Sequence, residues 1–188
     1  MAPPPPTPLN NTAVVILAVL NRGPRSGYDV KAFVDKSARH FWAASYGRIY
    51  PELKRLTEAG LIEGADDSQG ARPKTIYSLT EKGTEALNRW YARPPETFEM
   101  RDEALLKIFF GGAFDPGLVE QHIDARRRES EQKLVRLREV EPHVEELSAA
   151  DPYPYAVLRG GIEMHESILA WCERTERTLA KTTTGRKG

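Results

Sequence analysis

Basic side chains and a tyrosine share one face of a predicted helix, and their chemistry suits a nucleic acid. The segment Ser45–Leu56 reads Ser-Tyr-Gly-Arg-Ile-Tyr-Pro-Glu-Leu-Lys-Arg-Leu. At about 100° per residue its apolar residues form one narrow stripe, and Arg48, Lys54 and Arg55 fall on the opposite side. Tyr50 lies on the flank. Because guanidinium and ammonium groups bind phosphate oxygens, this face predicts contact with DNA. The alternative that Arg48, Lys54 and Arg55 only solubilise an exposed helix face stays open at this point.

The residues of this helix differ in the contact expected of each. Arg48 is the best placed for a base edge, because a guanidinium pairs bidentately with guanine. Tyr46 is a second candidate, although its position on the apolar stripe fits a core role equally well. Ser45 and the amides at the helix start are placed for a phosphate. Lys54 and the Tyr50 hydroxyl are expected to bind the DNA backbone.

Three predicted helices, a hairpin and a fourth helix would position this face. Ser26 and Asp29 form a Ser-x-x-Asp capping pattern at the start of the second helix. Lys74–Leu79 alternates as a half-buried strand does and would pair with Leu61–Glu63, after which Thr80 caps the fourth helix. This order is that of a winged helix–turn–helix, in which the third helix enters the major groove of DNA.

The hairpin is expected to act as the wing of that fold. Its far end carries Arg72 and Lys74, while its tip carries the acidic pair Asp66-Asp67. Phosphate contact by the wing therefore depends on Arg72 and Lys74, and Lys31 on the second helix is a further phosphate contact.

Composition excludes several classes of protein. The chain has 188 residues, 40% hydrophobic and 29% charged, which is typical of a globular protein and too apolar for wholesale disorder. Its one cysteine, Cys172, excludes an internal disulfide and a four-thiolate zinc site. The longest apolar run, Ala13–Leu20, is far shorter than the roughly 20 residues that span a bilayer. Met1–Asn11 lacks the basic residues of a signal sequence, so we expect a cytoplasmic protein without membrane contact.

Patterns that indicate catalysis or metal binding were not found. The four histidines are scattered, and the sequence contains neither His-Glu-x-x-His nor a Gly-x-Ser-x-Gly elbow. The carboxylates lie on charged helix faces, and a solvated surface explains them. We therefore expect no enzyme activity, no metal and no cofactor.

The second half of the chain differs from the first in charge and pattern. Residues 1–93 carry 13 basic and 9 acidic groups, whereas 94–188 carry 14 and 18. Its last predicted helix, about Tyr155–Ala180, has an apolar face wider than one neighbouring helix covers, which a partner subunit would use. The residues assigned to dimerisation are Leu158, Ile162, His165, Ile168, Leu169, Trp171 and Cys172.

These observations predict a mainly α fold with an N-terminal winged helix–turn–helix, a two-stranded β wing and a C-terminal α-helical dimerisation domain. The predicted segments are a disordered proline-rich tail over 1–11, the DNA-binding domain over 12–93, a helical dimerisation and effector domain over 94–181, and a flexible tail over 182–188.

Three aromatic residues suggest where a small-molecule effector would bind. Trp90 and Tyr91 end the fourth helix, and Trp171 lies on the last one. A ligand where these helices meet would change the spacing of two DNA-reading heads. Aromatic residues at such a junction are also typical of ordinary packing, and that interpretation stays open.

Four strings resemble the phenolic acid decarboxylase repressor (PadR) family of transcriptional regulators. They are Ser45–Leu56, Ala59-Gly60-Leu61-Ile62, Tyr77-Ser78-Leu79-Thr80-x-x-Gly83 and Gly27-Tyr28-Asp29-Val30. The resemblance covers roughly residues 13–91, and the string Gly-x-Ile-Tyr-Pro-x-Leu-x-Arg-Leu is quite specific. Arg101–Gly111 is similar to the opening of a virulence-activator-like C-terminal domain in one branch of that family.

The resemblance implies a homodimeric regulator, usually a repressor, that binds double-stranded operator DNA and whose C-terminal helices pair two subunits. Effectors in the family are varied, so it implies no particular ligand. Two alternatives remain: a winged-helix module that binds proteins and never DNA, and a ligand-binding enzyme dimer, which the missing catalytic motifs disfavour.

Overall fold

The computed structural model describes residues 9–36, 49–67, 74–95 and 101–185. Its chain divides into two compact units, Met1–Thr97 and Phe98–Gly188. The first unit contains α1 (Asn11–Leu20), β1 (Arg25–Ser26), α2 (Gly27–Lys36), α3 (Ile49–Glu58), β2 (Ile62–Asp67), β3 (Lys74–Leu79) and α4 (Glu81–Tyr91). The second contains α5 (Glu103–Phe109), a short 3-10 helix (Gly111–Ala113), α6 (Pro116–Leu147) and α7 (Pro152–Gly185).

The predicted fold class is confirmed, with one strand more than expected. The hairpin of β2 and β3 forms the wing, in register from Ile62 opposite Leu79 to Asp67 opposite Lys74. β1 adds to the other edge of β3, where Arg25 lies opposite Tyr77, so the sheet has the order β1-β3-β2. A two-residue strand has too little alternation for a sequence pattern to reveal it.

α1, α2 and α3 surround one apolar core. Its fully buried members include Ile16 and Leu17 of α1, Val30 of α2 and Leu53 of α3. Burying each such side chain contributes about 1.5–3 kcal/mol. Asn10 caps α1, since its side-chain oxygen accepts a hydrogen bond from the Ala13 amide at 2.8 Å.

The predicted capping pattern at the start of α2 is confirmed. The Asp29 amide donates to Ser26 Oγ at 3.1 Å, and the Ser26 amide donates in return to Asp29 Oδ2 at 3.3 Å. Ser26 Oγ also donates to Asp29 Oδ2, at 2.7 Å. These hydrogen bonds satisfy amides that a helix start would otherwise leave without partners.

The carboxyl end of α3 is fixed by residues at the start of α4. Gly60 takes the left-handed conformation that ends a helix, with φ of 68°. Thr80 Oγ1 donates to the Gly60 carbonyl at 2.8 Å, and the Lys82 ammonium donates to the Ala59 carbonyl at 2.7 Å. A Cβ at Gly83 would lie 2.0 Å from the Leu61 carbonyl oxygen, so this contact requires glycine.

The second unit is built on the antiparallel pair of α6 and α7. One apolar cluster contains Leu134 and Leu137 of α6 with Leu158 and Ile162 of α7. A second cluster joins Val119, Ile123 and Cys172. Ion pairs flank the seam, at Arg159–Glu141 (2.8 Å), Arg138–Glu166 (2.7 Å) and Arg127–Glu176.

Helix boundaries in the second unit differ from those predicted. The apolar pattern of the sequence predicts a helix over Glu99–Phe110, but α5 begins at Glu103, because Asp102 is extended and its side chain caps the amides of Ala104 and Leu105. In the sequence, Asp115-Pro116 predicts an N-cap followed by the first helical residue, and Pro142 is expected to kink or end the helix. α6 does begin after Asp115, but it continues through Pro142 to Leu147. α7 already begins at Pro152, because proline is tolerated in the first turn, where its missing N–H has no helical partner.

Candidate nucleic-acid interface

α3 buries one face and exposes another, as its apolar stripe predicts. Ile49, Leu53 and Leu56 are fully buried in the core of the first unit. Tyr50 is 57% exposed, and the Lys54 side chain is 80% exposed. Because Tyr50 and Lys54 are four residues apart, they are neighbours on the outward face of the helix. That face offers a hydroxyl and an ammonium group to an approaching polyanion.

Arg55 is held more tightly by a neighbour on its own helix than Lys54, whose exposed ion pair with Glu58 spans 3.8 Å. Its Nε donates to both carboxylate oxygens of Glu52, at 3.0 and 3.1 Å, and its Nη2 donates to Oε1 at 2.6 Å. Burial of Glu52 opposes its charge, but hydrogen bonds from Arg55 and Asn10 outweigh that effect and lower the pKa of the carboxyl. The hydrogen bond with Glu52 also raises the pKa of the Arg55 guanidinium. A DNA contact by Arg55 would have to give up this bidentate pair.

Lys74 lies at the first residue of β3, at the outer end of the described wing. Its ammonium forms an ion pair with Asp67 of β2 at 3.5 Å, and both side chains are partly exposed. An exposed pair of this kind contributes about 0–1 kcal/mol, so a phosphate can replace the aspartate at little cost.

The remaining predicted DNA contacts are only partly covered by the structure. Lys31 is an exposed residue of α2. Ser45, Tyr46, Arg48 and Arg72 lie outside the described residues.

A cleft of about 450 Å³ opens beside the start of α3. It is lined by residues from the start of α2, from α3 and from β3: Ser26, Gly27, Tyr28, Asp29, Tyr50, Lys74, Thr75 and Tyr77. The sequence predicts Tyr50 and Lys74 as DNA contacts but does not single out Tyr28, whose side chain is 73% exposed. The available signal is a tyrosine in the first turn of α2, two residues after the capping Ser26.

The aromatic residues assigned to an effector are placed in both units. Trp90 and Tyr91 belong to the first unit, at the end of α4, and are 40% and 82% exposed. Trp171 belongs to the second unit, where it is half-buried against the cluster of Ile123 and Cys172.

Most residues assigned to dimerisation are enclosed within a single chain. Leu158, Ile162, His165 and Cys172 are buried in the seam between α6 and α7. Ile168, Leu169 and Trp171 are half-buried. The exposed apolar residues of α7 are different ones, Tyr153, Val157 and Met164. The wide apolar face predicted for this helix therefore consists of two stripes, and α6 covers one of them.

His165 is the polar member of that seam. Its Nδ1 is buried and has no hydrogen-bond partner. Burial lowers the pKa of His165, and the nearby Lys133 and Arg126 of α6 lower it further, against the opposing charge of Glu129. The neutral imidazole is therefore the form that the folded chain favours.

Within 9–36, 49–67, 74–95 and 101–185, no group of three or more histidine, cysteine or acidic side chains is arranged to hold a metal ion. The helices in these ranges include none with the length and apolar character needed to cross a membrane.

A three-helix core with an antiparallel wing, followed by a separate helical unit, defines the class of winged helix–turn–helix proteins with an α-helical C-terminal unit. Comparison with known families agrees with this class in both parts. Residues 16–89 match the transcriptional regulator PadR-like family, and residues 100–180 match the virulence activator alpha C-terminal domain.

Similar proteins come from Bacillus subtilis. The chain is 30% identical to that organism's negative transcriptional regulator PadR over 171 residues, covering 84% of this chain and 91% of the relative. The crystal structure of B. subtilis PadR in complex with operator DNA is 28% identical, with a TM-score of 0.79, and the match covers 90% of this chain and 98% of that one. The complex of the same protein with p-coumaric acid is 26% identical, with a TM-score of 0.70, covering 89% and 96%.

The chain belongs to the PadR-like family of transcriptional regulators. The family resemblance carried by residues 13–91, and the similarity of its second half to virulence-activator C-terminal domains, are thereby confirmed.

Proposed function

We propose that this chain is a homodimeric, sequence-specific DNA-binding repressor whose activity responds to a small-molecule ligand. The observation that carries the proposal is the outward face of α3, where Tyr50 and Lys54 lie exposed and Tyr50 lines a cleft together with Lys74 of the wing. Its fold also matches that of B. subtilis PadR bound to operator DNA. In a winged helix–turn–helix, the third helix enters the major groove of DNA, and in this chain the third helix is α3.

Each proposed DNA contact follows from the chemistry of its side chain. Arg48 reads a base edge, and Tyr46 lies near the bases. The phosphate contacts are Lys31, Ser45, Tyr50, Lys54, Arg72 and Lys74. Arg55 is removed from this set, since its guanidinium holds the carboxylate of Glu52 in place.

A second copy of the chain would pack on the outward stripe of α7. Tyr153, Val157 and Met164 fall within about 40° of one another on the helix, at 100° per residue, and are half-exposed or more. The half-buried Ile168 and Trp171 continue the same stripe. Covering this stripe would remove apolar surface from water, as subunit interfaces do. The dimer would place its two α3 helices, the reading helices, on two operator half-sites. These half-sites would lie about one helical turn of DNA, roughly 34 Å, apart, or a multiple of that distance.

The ligand response is proposed by analogy with the relative crystallised with p-coumaric acid. Trp90, Tyr91 and Trp171 are the candidate effector contacts. Titration of the chain with phenolic acids, followed by tryptophan fluorescence, tests them. A tryptophan emission spectrum that no phenolic acid changes would count against these residues as effector contacts.

A regulator of this family needs no catalytic step, and we propose that the chain is not an enzyme and uses no cofactor. Binding to DNA also supports a location in the cytoplasm, which is part of this proposal.

Binding to the DNA upstream of the chain's own gene tests the proposal. We expect a mobility shift that weakens steeply as salt is raised, because phosphate contacts release counterions. Arg48→Ala should abolish the preference for that DNA over a scrambled duplex, whereas Lys54→Ala should weaken binding to both alike. No shift at low salt, from a chain verified as a dimer and tested with and without phenolic ligand, would overturn the proposal.

A further inference from the structure

The cleft between α2, α3 and β3 is lined by two tyrosines and a lysine whose side chains are at least half exposed. Tyr28 and Tyr50 line it, and within the described ranges neither phenol hydroxyl forms a hydrogen bond. Lys74 stands beside them with its exposed ion pair to Asp67. Two hydroxyls and an ammonium are the donors that proteins commonly direct to phosphate oxygens.

The backbone holds these donors together through close packing. The pairing of β1 with β3 brings Ser26 beside Ile76, and with it the start of α2 beside β3. A Cβ at Gly27 would lie 2.9 Å from Tyr50 Cε1 and 3.1 Å from Leu53 Cδ1. The Tyr50 ring therefore rests on the bare backbone of Gly27, which a larger residue would prevent.

One acidic group lines the same cleft and shapes what it can accept. Asp29 accepts two hydrogen bonds from Ser26, which lower the pKa of its carboxyl and keep it charged. Lys74 offsets this negative charge. A doubly charged phosphate monoester would be repelled more than a singly charged phosphodiester. The cleft is therefore suited to a link of a DNA strand more than to free phosphate.

We propose that this cleft binds one phosphodiester group of the DNA backbone, with the hydroxyls of Tyr28 and Tyr50 and the ammonium of Lys74 as donors. The site adjoins the outward face of α3, because Tyr50 belongs to both. It fixes the depth and register of the reading helix on the duplex and carries no base preference of its own. This inference rests on the proposed function, since it requires that the chain bind DNA.

Three substitutions with matched controls test the site on the operator duplex found by the mobility shift. Tyr28→Phe and Tyr50→Phe each remove one hydroxyl and keep the ring, and we expect each to weaken binding about 5- to 15-fold. Lys74→Gln should lower the slope of log affinity against log salt by about 1. Tyr155→Phe removes a hydroxyl that contacts Glu145 in the second unit, and Lys107→Gln removes a lysine that is half-exposed like Lys74. Both controls should bind DNA as the unmodified chain does.

Neutralising single phosphates of the operator identifies the phosphate that the cleft binds. Each phosphate of the operator is replaced in turn by an uncharged methylphosphonate. At one position, this replacement should lower the affinity of the unmodified chain. The same replacement should cause no further loss of affinity in the Lys74→Gln and Tyr50→Phe variants, which already lack the contact. Inorganic phosphate should compete no better than chloride at equal ionic strength. Competition by inorganic phosphate that is abolished by Lys74→Gln would instead identify a free-anion site and overturn the assignment to DNA.

The outcomes separate this site from the function on which it rests. If the unmodified chain does not bind DNA, the proposed function fails. If it binds, and the three variants match their controls in affinity and salt slope, the function stands and the cleft is not a phosphate site.

Discussion

Arg55 shows how the immediate surroundings of a side chain change the role its type suggests. On a helical projection it belongs with Lys54 on the basic face of α3, but three hydrogen bonds of 2.6 to 3.1 Å hold it to Glu52. The Glu52 side chain is 10% exposed, so its charge depends on that partner.

This difference predicts opposite effects for two neighbouring substitutions. Arg55→Ala should lower the free energy of unfolding by about 1–2 kcal/mol, because it leaves a largely buried carboxylate without its partner. Lys54→Ala should change that free energy by less than about 0.5 kcal/mol while weakening DNA binding. Urea denaturation and mobility shifts on both variants measure the two effects. A stable Arg55→Ala chain with reduced DNA affinity would return Arg55 to the DNA-contact set.

At the scale of the element, α7 presents two apolar stripes with different partners. Ile162 lies in the seam with α6 and is 1% exposed, whereas Met164, two residues later, is 55% exposed. Ile162→Ala should lower the free energy of unfolding by about 2–4 kcal/mol, the usual cost of a cavity in a packed core. Met164→Glu should leave the folded monomer intact and shift the dimer toward monomer, as sedimentation would show. If both substitutions destabilise the fold and neither changes the monomer–dimer equilibrium, the two stripes do not have separate roles.

The seam between α6 and α7 also predicts a pH dependence of stability. Because His165 has a lowered pKa in the folded chain, the unfolded chain binds its proton more tightly. The contribution of neutral His165 to the free energy of unfolding is therefore fully present above the unfolded pKa of about 6.5. It is lost as the pH falls below that value. The urea midpoint should drop between pH 7.5 and 5.5, and His165→Gln should reduce that drop. An unchanged drop in the variant would assign it to other groups.

Sequence patterns predicted elements well where one local signal dominates. The capping pair Ser26 and Asp29, and the strand Lys74–Leu79, agree with the structure because hydrogen-bonding type and alternation are local properties. Pro142 is expected from sequence to kink or end its helix, and an end there is wrong: α6 continues to Leu147. Contacts with α7, such as Arg159–Glu141, support the helix near this proline. A contact between two helices depends on the residues of both, so the pattern of one helix does not predict it. The cleft is likewise not predictable from a local pattern, because its lining comes from three separate segments of the chain.

At the scale of the whole molecule, operator binding by a dimer depends on residues that need not contact DNA at all. Two reading helices joined through α7 would bind the second half-site as an intramolecular event, which raises affinity without any new contact. The outward stripe of α7 is thus predicted to control operator affinity through association of the subunits.

Met164→Glu tests this coupling, because it alters no residue of the first unit. At protein concentrations where the variant is monomeric, its affinity for a two-half-site operator should fall by about 10²-fold or more. Its affinity for a duplex with one half-site should equal that of the unmodified chain. Fluorescence anisotropy with both duplexes, over a range of protein concentrations, measures the two affinities. Equal losses on both duplexes would mean that the substitution damages the DNA-binding unit itself. Equal retention on both would mean that a single copy of the chain carries the whole of operator recognition.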